Sequence, residues 1–270
     1  MQHTDNNHRA RKRFGQNFLH DQGIIHRIAK TINAKDSDHI VEIGPGQGAL
    51  TADILVSGCL LDAIELDRDL IPILQHRFAG QDRFQLQQGD ALNFDFSSLQ
   101  HSGEKLRVVG NLPYNISTPL IFHLLEQQQL IQDMHFMLQL EVVNRLAAVP
   151  GKKTYGRLSV MSQYYCNVQS MFEVPPEAFT PKPKVQSAIV RLTPHAQLPY
   201  PADDVRTLQS VLRNAFNQRR KTLRNSLKND LSGEQLEALD IDPSARPETL
   251  TLQQFVRISN AVKQAEITAP

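Results

Sequence analysis

The stretch Ile40-Val41-Glu42-Ile43-Gly44-Pro45-Gly46-Gln47-Gly48-Ala49-Leu50 restricts the fold of this chain more than any other. An apolar, β-branched run enters a turn with glycine at every second position, and a helical pattern from Ala49 to Ser57 leaves it. Strand, tight turn and helix in that order open a βαβ unit, whose strands pair in parallel. Glycines so spaced let the backbone approach a ligand closely, which makes Gly44 and Gly46 candidate binding residues. The spacing is G-x-G-x-G and not the G-x-G-x-x-G of dinucleotide binders, and no Lys-Ser or Lys-Thr follows as in a phosphate loop. Pro45 also removes an amide that a phosphate would use. A purely structural tight turn would carry the same residues.

The pattern continues along the chain. A strand at Leu60–Ile64 ends at Glu65, where a βαβ unit of this kind places a ribose-binding carboxylate. Asp67 and Asp69 are expected to open the next helix, since negative charge favours a helix N-terminus. A third strand, Phe84–Gln87, is followed by Gly89-Asp90-Ala91, and Asp90 is placed to accept from an amino group of a base. A plain turn is the other reading there. A helix is expected from Gln22 to Ile32, with Ile24, Ile25, Ile28, Ala29 and Ile32 at helical spacing. Further strands are expected at Asp133–Leu140, Val168–Val174 and Ala188–Leu192, with helices at Glu141–Leu146 and Gly156–Tyr165.

The fourth strand, from Leu106, runs into Gly110-Asn111-Leu112-Pro113-Tyr114. Gly110 permits a sharp exit, and Pro113 restricts Leu112 to an extended backbone. The strand end thus presents an amide side chain, a carbonyl and an aromatic ring. Those groups suit a flat nitrogen base held by its amino edge and its face. The amino nitrogen of adenine is a poor nucleophile because its lone pair is delocalised into the ring. Acceptors that take both amino hydrogens, the Asn111 side-chain oxygen and the Leu112 carbonyl, favour a more tetrahedral nitrogen. Tyr114 could stack on the base. Phe179, at the head of the rigid segment Thr180-Pro181-Lys182-Pro183-Lys184, would supply a second ring, worth ~1–3 kcal/mol per stacked base. A buried Tyr and a core Phe beside proline turns are the structural alternative.

Charge is segregated. Residues 36–104 hold twelve acids and three bases, and residues 206–228 hold seven bases and no acid, although the net charge is only +1. Such asymmetry points to a polyanion partner held by one part of the molecule. Arg11, Lys12 and Arg13, next to Phe14-Gly15-Gln16-Asn17-Phe18-Leu19, add a basic, aromatic stretch suited to phosphate contact, with Asn17 and Leu19 near the ligand. Lys152 and Lys153, beside Tyr155, form a second. Arg219, Arg220 and Lys221 are the densest cluster, and a solvated basic helix is the plain alternative. Cys59 and Cys166 are the only two cysteines, too few for a disulfide framework or a zinc ribbon and in keeping with a reducing compartment. There is no run of 18 apolar residues and no apolar signal region in the polar first 13, so a cytoplasmic protein without a membrane span is expected. Residues 1–10 are expected to lack fixed structure. Residues 11–195 form an expected α/β domain of doubly wound, Rossmann-like type. A proline-containing boundary (Thr193–Pro201) precedes a small all-α domain at 202–265.

Gly44, Glu65, Asp90 and Asn111 each fall just after a predicted strand, where ligands bind in such sheets. Glu42-Ile43-Gly44-Pro45-Gly46-Gln47-Gly48 resembles the first motif of S-adenosylmethionine-dependent methyltransferases. Asn111-Leu112-Pro113-Tyr114 resembles the signature of enzymes that methylate the adenine amino group. Together with Phe14–Leu19, Phe179–Ser187 and Asn217-Gln218-Arg219-Arg220-Lys221-Thr222-Leu223, these motifs are similar to those of the ribosomal RNA adenine dimethylases, over about Arg11 to Lys263.

The resemblance implies S-adenosyl-L-methionine as cofactor, contacted by Asn17, Leu19, Gly44, Glu65, Asp90 and Asn111, and a base pocket of Asn111, Leu112, Tyr114 and Phe179. It implies dimethylation of two adjacent adenosines near the 3′ end of 16S rRNA, on an assembling small ribosomal subunit. The sulfonium methyl is itself electrophilic, so no metal is expected, and the protein is taken as a monomer. Within the family, Gln218–Lys221 and Phe14–Leu19 favour the small-subunit branch over the large-subunit one that confers macrolide resistance. Nothing resembles the target-recognition domain of a DNA adenine methyltransferase. An assembly or transcription factor that keeps the fold without catalysis is the reading from another class, and intact Asn111, Tyr114 and Phe179 argue against it.

Overall fold

A computed structural model describes residues 16–100, 103–113, 115–218 and 220–268. The expectations that fall on residues 1–10, on Arg11, Lys12, Arg13, Phe14 and Gly15, on Tyr114 and on Arg219 lie outside the described residues.

The strands are β1 (Phe18–Leu19), β2 (His39–Ile43), β3 (Leu60–Glu65), β4 (Phe84–Gln88), β5 (Leu106–Asn111), β6 (Ile131–Gln139), β7 (Cys166–Val174), β8 (Phe179–Thr180) and β9 (Ser187–Pro194). The helices are α1 (Gln22–Ile32), α2 (Ala49–Leu55), α3 (Ile71–Arg77), α4 (Ser117–Glu126), α5 (Leu140–Leu146), α6 (Arg157–Tyr165), α7 (Val205–Phe216), α8 (Leu223–Ser226), α9 (Gly233–Glu237) and α10 (Leu252–Thr268). Seven strands make one sheet in the order β4-β3-β2-β5-β6-β9-β7, and β1 pairs with β8 in a separate two-stranded ribbon. The pairs β4–β3, β3–β2, β2–β5 and β5–β6 are parallel, and β6–β9 is antiparallel. The α/β class read from the sequence is therefore the observed one. All five residues of β2 are buried, as expected of a central parallel strand packed on both faces.

The expected helix at 22–32 is α1. Asp21 caps it by accepting from the Ile24 amide at 3.0 Å, and Asn33 ends it in the left-handed conformation at φ 51°, both in line with cap preferences. Its buried residues Ile28 and Ile32 join Ile40, Val109, Met137, Phe179 and Ile189 in the core. At the other end of the strands Arg107 makes a two-pronged ion pair with Asp133 at 2.9 Å, a third contact to Asp38 at 2.7 Å, and donates to the Ile32 carbonyl. This buried guanidinium, whose donors are met in a fork-like geometry, ties the end of α1 to β5 and β6.

The described residues divide into two compact units, one within Met1–Val143 and Gln169–Pro194, the other within Asn144–Val168 and His195–Pro270. The division differs from a single cut between 195 and 202. Helix α6 buries Leu158, Ser159, Val160, Met161, Ser162 and Tyr164, too much of its circumference for one sheet face to cover, and it packs with α7 and α10. Tyr155, expected in a nucleic-acid-facing loop, is 1% exposed and meets Phe216 edge-on, with 6.3 Å between ring centroids. Burial pushes its phenol well above the ordinary range. Tyr155 is a core residue of the second unit. No helix among the described residues is long and apolar enough to cross a membrane. Cys59 and Cys166 are free and buried.

Candidate active site

The order of the parallel strands reverses between β2 and β5. In open α/β sheets the crevice that receives a ligand forms at such a switch point, beyond the carboxyl ends of the strands. A cavity of about 350 Å³ lies here, of a size that suits a small-molecule cofactor or substrate. Asn17, Leu19, Gly44, Gly46, Glu65, Asp90, Asn111, Leu112 and Phe179 all line it. Every described residue expected to hold a cofactor or a base is thus brought to one place, within the first unit.

The glycine turn follows β2. Gly44, Gly46 and Gly48 have φ of 66°, 61° and 79°, a region that side chains other than glycine rarely enter. At Gly46 space adds to conformation, because a Cβ there would stand 3.2 Å from the Phe18 ring. Glu65 closes β3. It is 5% exposed, and its carboxylate accepts from the Gly46 amide at 3.3 Å and the Asp67 amide at 2.8 Å. Burial still raises its pKa, against the effect of those amides. A carboxylate has about four lone-pair positions, so acceptor capacity remains for a ribose diol. Asp90, beyond β4, accepts from the Leu92 amide and the Asn93 side chain, each at 3.0 Å, and likewise keeps capacity for an amino group. An apolar cavity with carboxylates at two strand ends and a turn lacking lysine fits an uncharged nucleoside that carries a cationic tail. It does not fit a pyrophosphate.

Asn111 ends β5. Its Nδ2 donates to the Asn17 carbonyl at 3.1 Å. A carbonyl can only accept, so the amide nitrogen is committed to Asn17 and Oδ1 faces the other way. The Leu112 amide donates to the Met137 carbonyl at 3.2 Å, holding the strand exit against β6. Phe179 is 3% exposed and pairs through its backbone with Leu19.

Several groups at or beside this cavity escape sequence reading. Asp67 does not open a helix: α3 begins at Ile71, with Leu70 at its N-cap. Asp67 instead accepts from Gln16 Nε2 at 2.9 Å, and its own carboxylate turns back to the Asp69 amide. Glu42 is 2% exposed and accepts from the Thr51 hydroxyl at 2.6 Å. Burial moves its pKa up to about 7, despite that hydrogen bond. His135 lines the cavity from β6, is buried, and neither ring nitrogen has a hydrogen-bond partner among the described residues. Burial, helped by Arg107 and Arg191 and opposed by Asp133, pushes it down to about 4. The available signal was a histidine two residues from Asp133 inside the strand Ile131–Gln139, and Arg107 takes only the aspartate. The ribbon of β1 and β8 left no readable signal, because a two-residue strand has no periodicity.

The basic residues lie elsewhere. Lys152, Lys153, Arg220 and Lys221 are exposed and belong to the second unit. The two described basic segments, assigned by sequence to different domains, therefore share one compact unit.

A doubly wound sheet with a glycine turn, Glu65, Asp90 and Asn111 around one switch-point cavity defines an S-adenosylmethionine-dependent methyltransferase. Residues 7–264 match the family model described as ribosomal RNA adenine dimethylase, and the chain belongs to that family. It is 64% identical over 257 residues to a Ribosomal RNA small subunit methyltransferase A of Pseudomonas aeruginosa, covering 95% of this chain and 96% of the relative. Among solved structures it is similar to a dimethyladenosine transferase from Plasmodium falciparum, with a TM-score of 0.76, 26% identity, and coverage of 89% of this chain and 95% of the other. It is also similar to the 23S rRNA methyltransferase ErmE, with a TM-score of 0.71, 25% identity, and coverage of 92% and 100%.

Proposed function

We propose that the protein transfers methyl groups from S-adenosyl-L-methionine to the 6-amino nitrogen of two adjacent adenosines near the 3′ end of 16S rRNA. The substrate is an assembling small ribosomal subunit in the cytoplasm, and the enzyme acts as a monomer. The observation that carries the reading is the Asn111 amide, whose nitrogen is committed to Asn17 and whose oxygen is left for an amino group. High identity to a small-subunit enzyme along almost the whole chain supports the choice of RNA.

The cofactor, when bound, supplies an electrophilic methyl on a sulfonium. Gly44, Gly46, Glu65 and Asp90 would hold its nucleoside, with Asn17 and Leu19 as further contacts from the same cavity wall. The target adenosine leaves its stack to enter the cavity. Asn111 Oδ1 and the Leu112 carbonyl accept its amino hydrogens, and Tyr114 and Phe179 bracket its ring. Positioning and polarisation of the amino group then carry most of the rate. Transfer is direct, so no covalent enzyme intermediate and no metal enter the scheme. Lys152, Lys153, Arg220 and Lys221, with Arg11, Lys12, Arg13 and Arg219, hold RNA phosphates.

The test is methyl transfer from labelled cofactor to under-methylated small subunits, with large subunits and duplex DNA in parallel and the adenines mapped by mass spectrometry. Dimethyl label on two adjacent adenines near the 3′ end of the small-subunit RNA is expected. Label confined to the large subunit would move the assignment to that branch of the family. Cofactor binding with no label on any substrate would favour the non-catalytic assembly factor.

A further inference from the structure

We infer that residues 16–20, which include β1, are a strap that sets the amide of Asn111 in its working orientation, and that Gln16 and Phe18 are positioning residues acting through it. The inference rests on Asn111 being the acceptor for the adenine amino group.

A terminal amide turns about a broad, two-fold torsion. Its two orientations are nearly equal in shape and opposite in function. With Oδ1 toward the base, Asn111 accepts an amino hydrogen. Turned over, it presents NH₂ to NH₂, and donor faces donor. Among the described residues the choice is made by the Asn17 carbonyl oxygen, which takes an Nδ2 hydrogen at 3.1 Å. Turning the amide over would set Oδ1 against that oxygen.

The position of that carbonyl is in turn fixed from both sides along the chain. On one side Gln16 Nε2 donates to Asp67 Oδ2 at 2.9 Å. On the other, the Phe18 ring lies against Gly46, so close that a Cβ there would stand 3.2 Å from it. Beyond, Phe18 pairs with Thr180 and Leu19 with Phe179, and the His20 amide donates to the Ala178 carbonyl at 3.0 Å. The strap therefore touches the glycine turn, the exit of β3, Asn111 and the Phe179 ribbon. It joins the residues proposed for the cofactor to the residue proposed for the base.

A double-mutant cycle separates this role from cofactor binding or general stability. Gln16→Ala and Phe18→Ala are made in the wild-type and in the Asn111→Ala protein. Single-turnover methyl transfer to under-methylated small subunits is read at saturating cofactor, and cofactor affinity is read separately by calorimetry. The strap variants are expected to slow transfer by roughly tenfold in the wild-type background and by less than about twofold when Asn111 is already absent. Phe18→Leu should restore much of the Phe18→Ala loss. Equal losses in both backgrounds, or no loss from either strap variant, would overturn the inference. Wild-type turnover by Asn111→Ala alone would instead overturn the role of Asn111 on which it rests.

Discussion

Gly110 faces Ile43 across the β2–β5 pair so closely that a Cβ on Gly110 would stand 2.6 Å from the Ile43 carbonyl oxygen. The two strand ends that carry the glycine turn and Asn111 meet at a distance only glycine allows. Gly110→Ala must push backbone from backbone, because the near atom is not the end of a flexible side chain. A loss of about 1–3 kcal/mol is expected, as for other overpacked sites, with a larger fall in methyl transfer because Asn111 is the next residue. Thermal unfolding and turnover measured together check this; an unchanged melting temperature would show that the strands can part freely.

Asn111→Ala removes the proposed acceptor without touching Glu65 or Asp90. By analogy with loss of an oxyanion-hole donor, kcat should fall roughly 10²–10³-fold while cofactor binding persists. Turnover near the wild-type rate would end the polarisation role.

Glu65→Ala should act on the other half of the site. Hydrogen bonds to a charged group contribute about 1.5–3 kcal/mol, so cofactor affinity should fall roughly 10–100-fold. Calorimetric titration reads this directly. Unchanged affinity would refute the assignment of Glu65 to the cofactor.

Glu42 and His135 make stability depend on pH in opposite senses. Burial raises Glu42 from 4.5 to about 7, so between those values the folded state binds more protons than the unfolded one, and stability falls as pH rises. His135 is lowered from 6.5 to about 4, so the folded state binds fewer protons across that window, and stability falls as pH drops. Glu42→Gln keeps an acceptor for Thr51 and removes the first effect. Relative to wild type, the variant should gain on moving from about pH 5 to about pH 8. The gain should reach roughly 3 kcal/mol, because each pKa unit between the folded and unfolded states corresponds to about 1.36 kcal/mol. Urea unfolding of both proteins at the two pH values decides it; parallel curves would mean that Glu42 stays ionised when buried.

Arg220→Glu with Lys221→Glu should weaken binding to the RNA particle and flatten its salt dependence. Each phosphate that the protein no longer neutralises reduces the slope of log K against log salt by about 0.7–0.9. Cofactor affinity should not change, since neither residue lines the cavity. An unaltered slope would make this segment a solvated face.

The parallel sheet was legible because β2, β3 and β5 are buried nearly throughout, and a strand buried on both faces must write its burial as a nearly unbroken apolar run. Helix α1 was legible because Ile24, Ile25, Ile28, Ala29 and Ile32 recur at helical spacing, and Asp21 and Asn33 cap its ends in the structure. Gly44, Glu65, Asp90 and Asn111 could be placed at one rim because each lies at or just beyond the end of a strand, and parallel strands put their carboxyl ends on the same side. The local chain thus determined the sheet, the rim and the chemistry gathered there. It said nothing of which atom of Asn111 faces the cavity, that Asp67 anchors Gln16, that Glu42 and His135 are ionisable groups shut away from water, or that α6 belongs with the C-terminal helices. Those facts depend on contacts between residues tens of positions apart, as between Asn17 and Asn111 or Gln16 and Asp67. Such contacts follow no period along the chain. They exist only once the sheet has brought its loops together, and tertiary structure alone decides them.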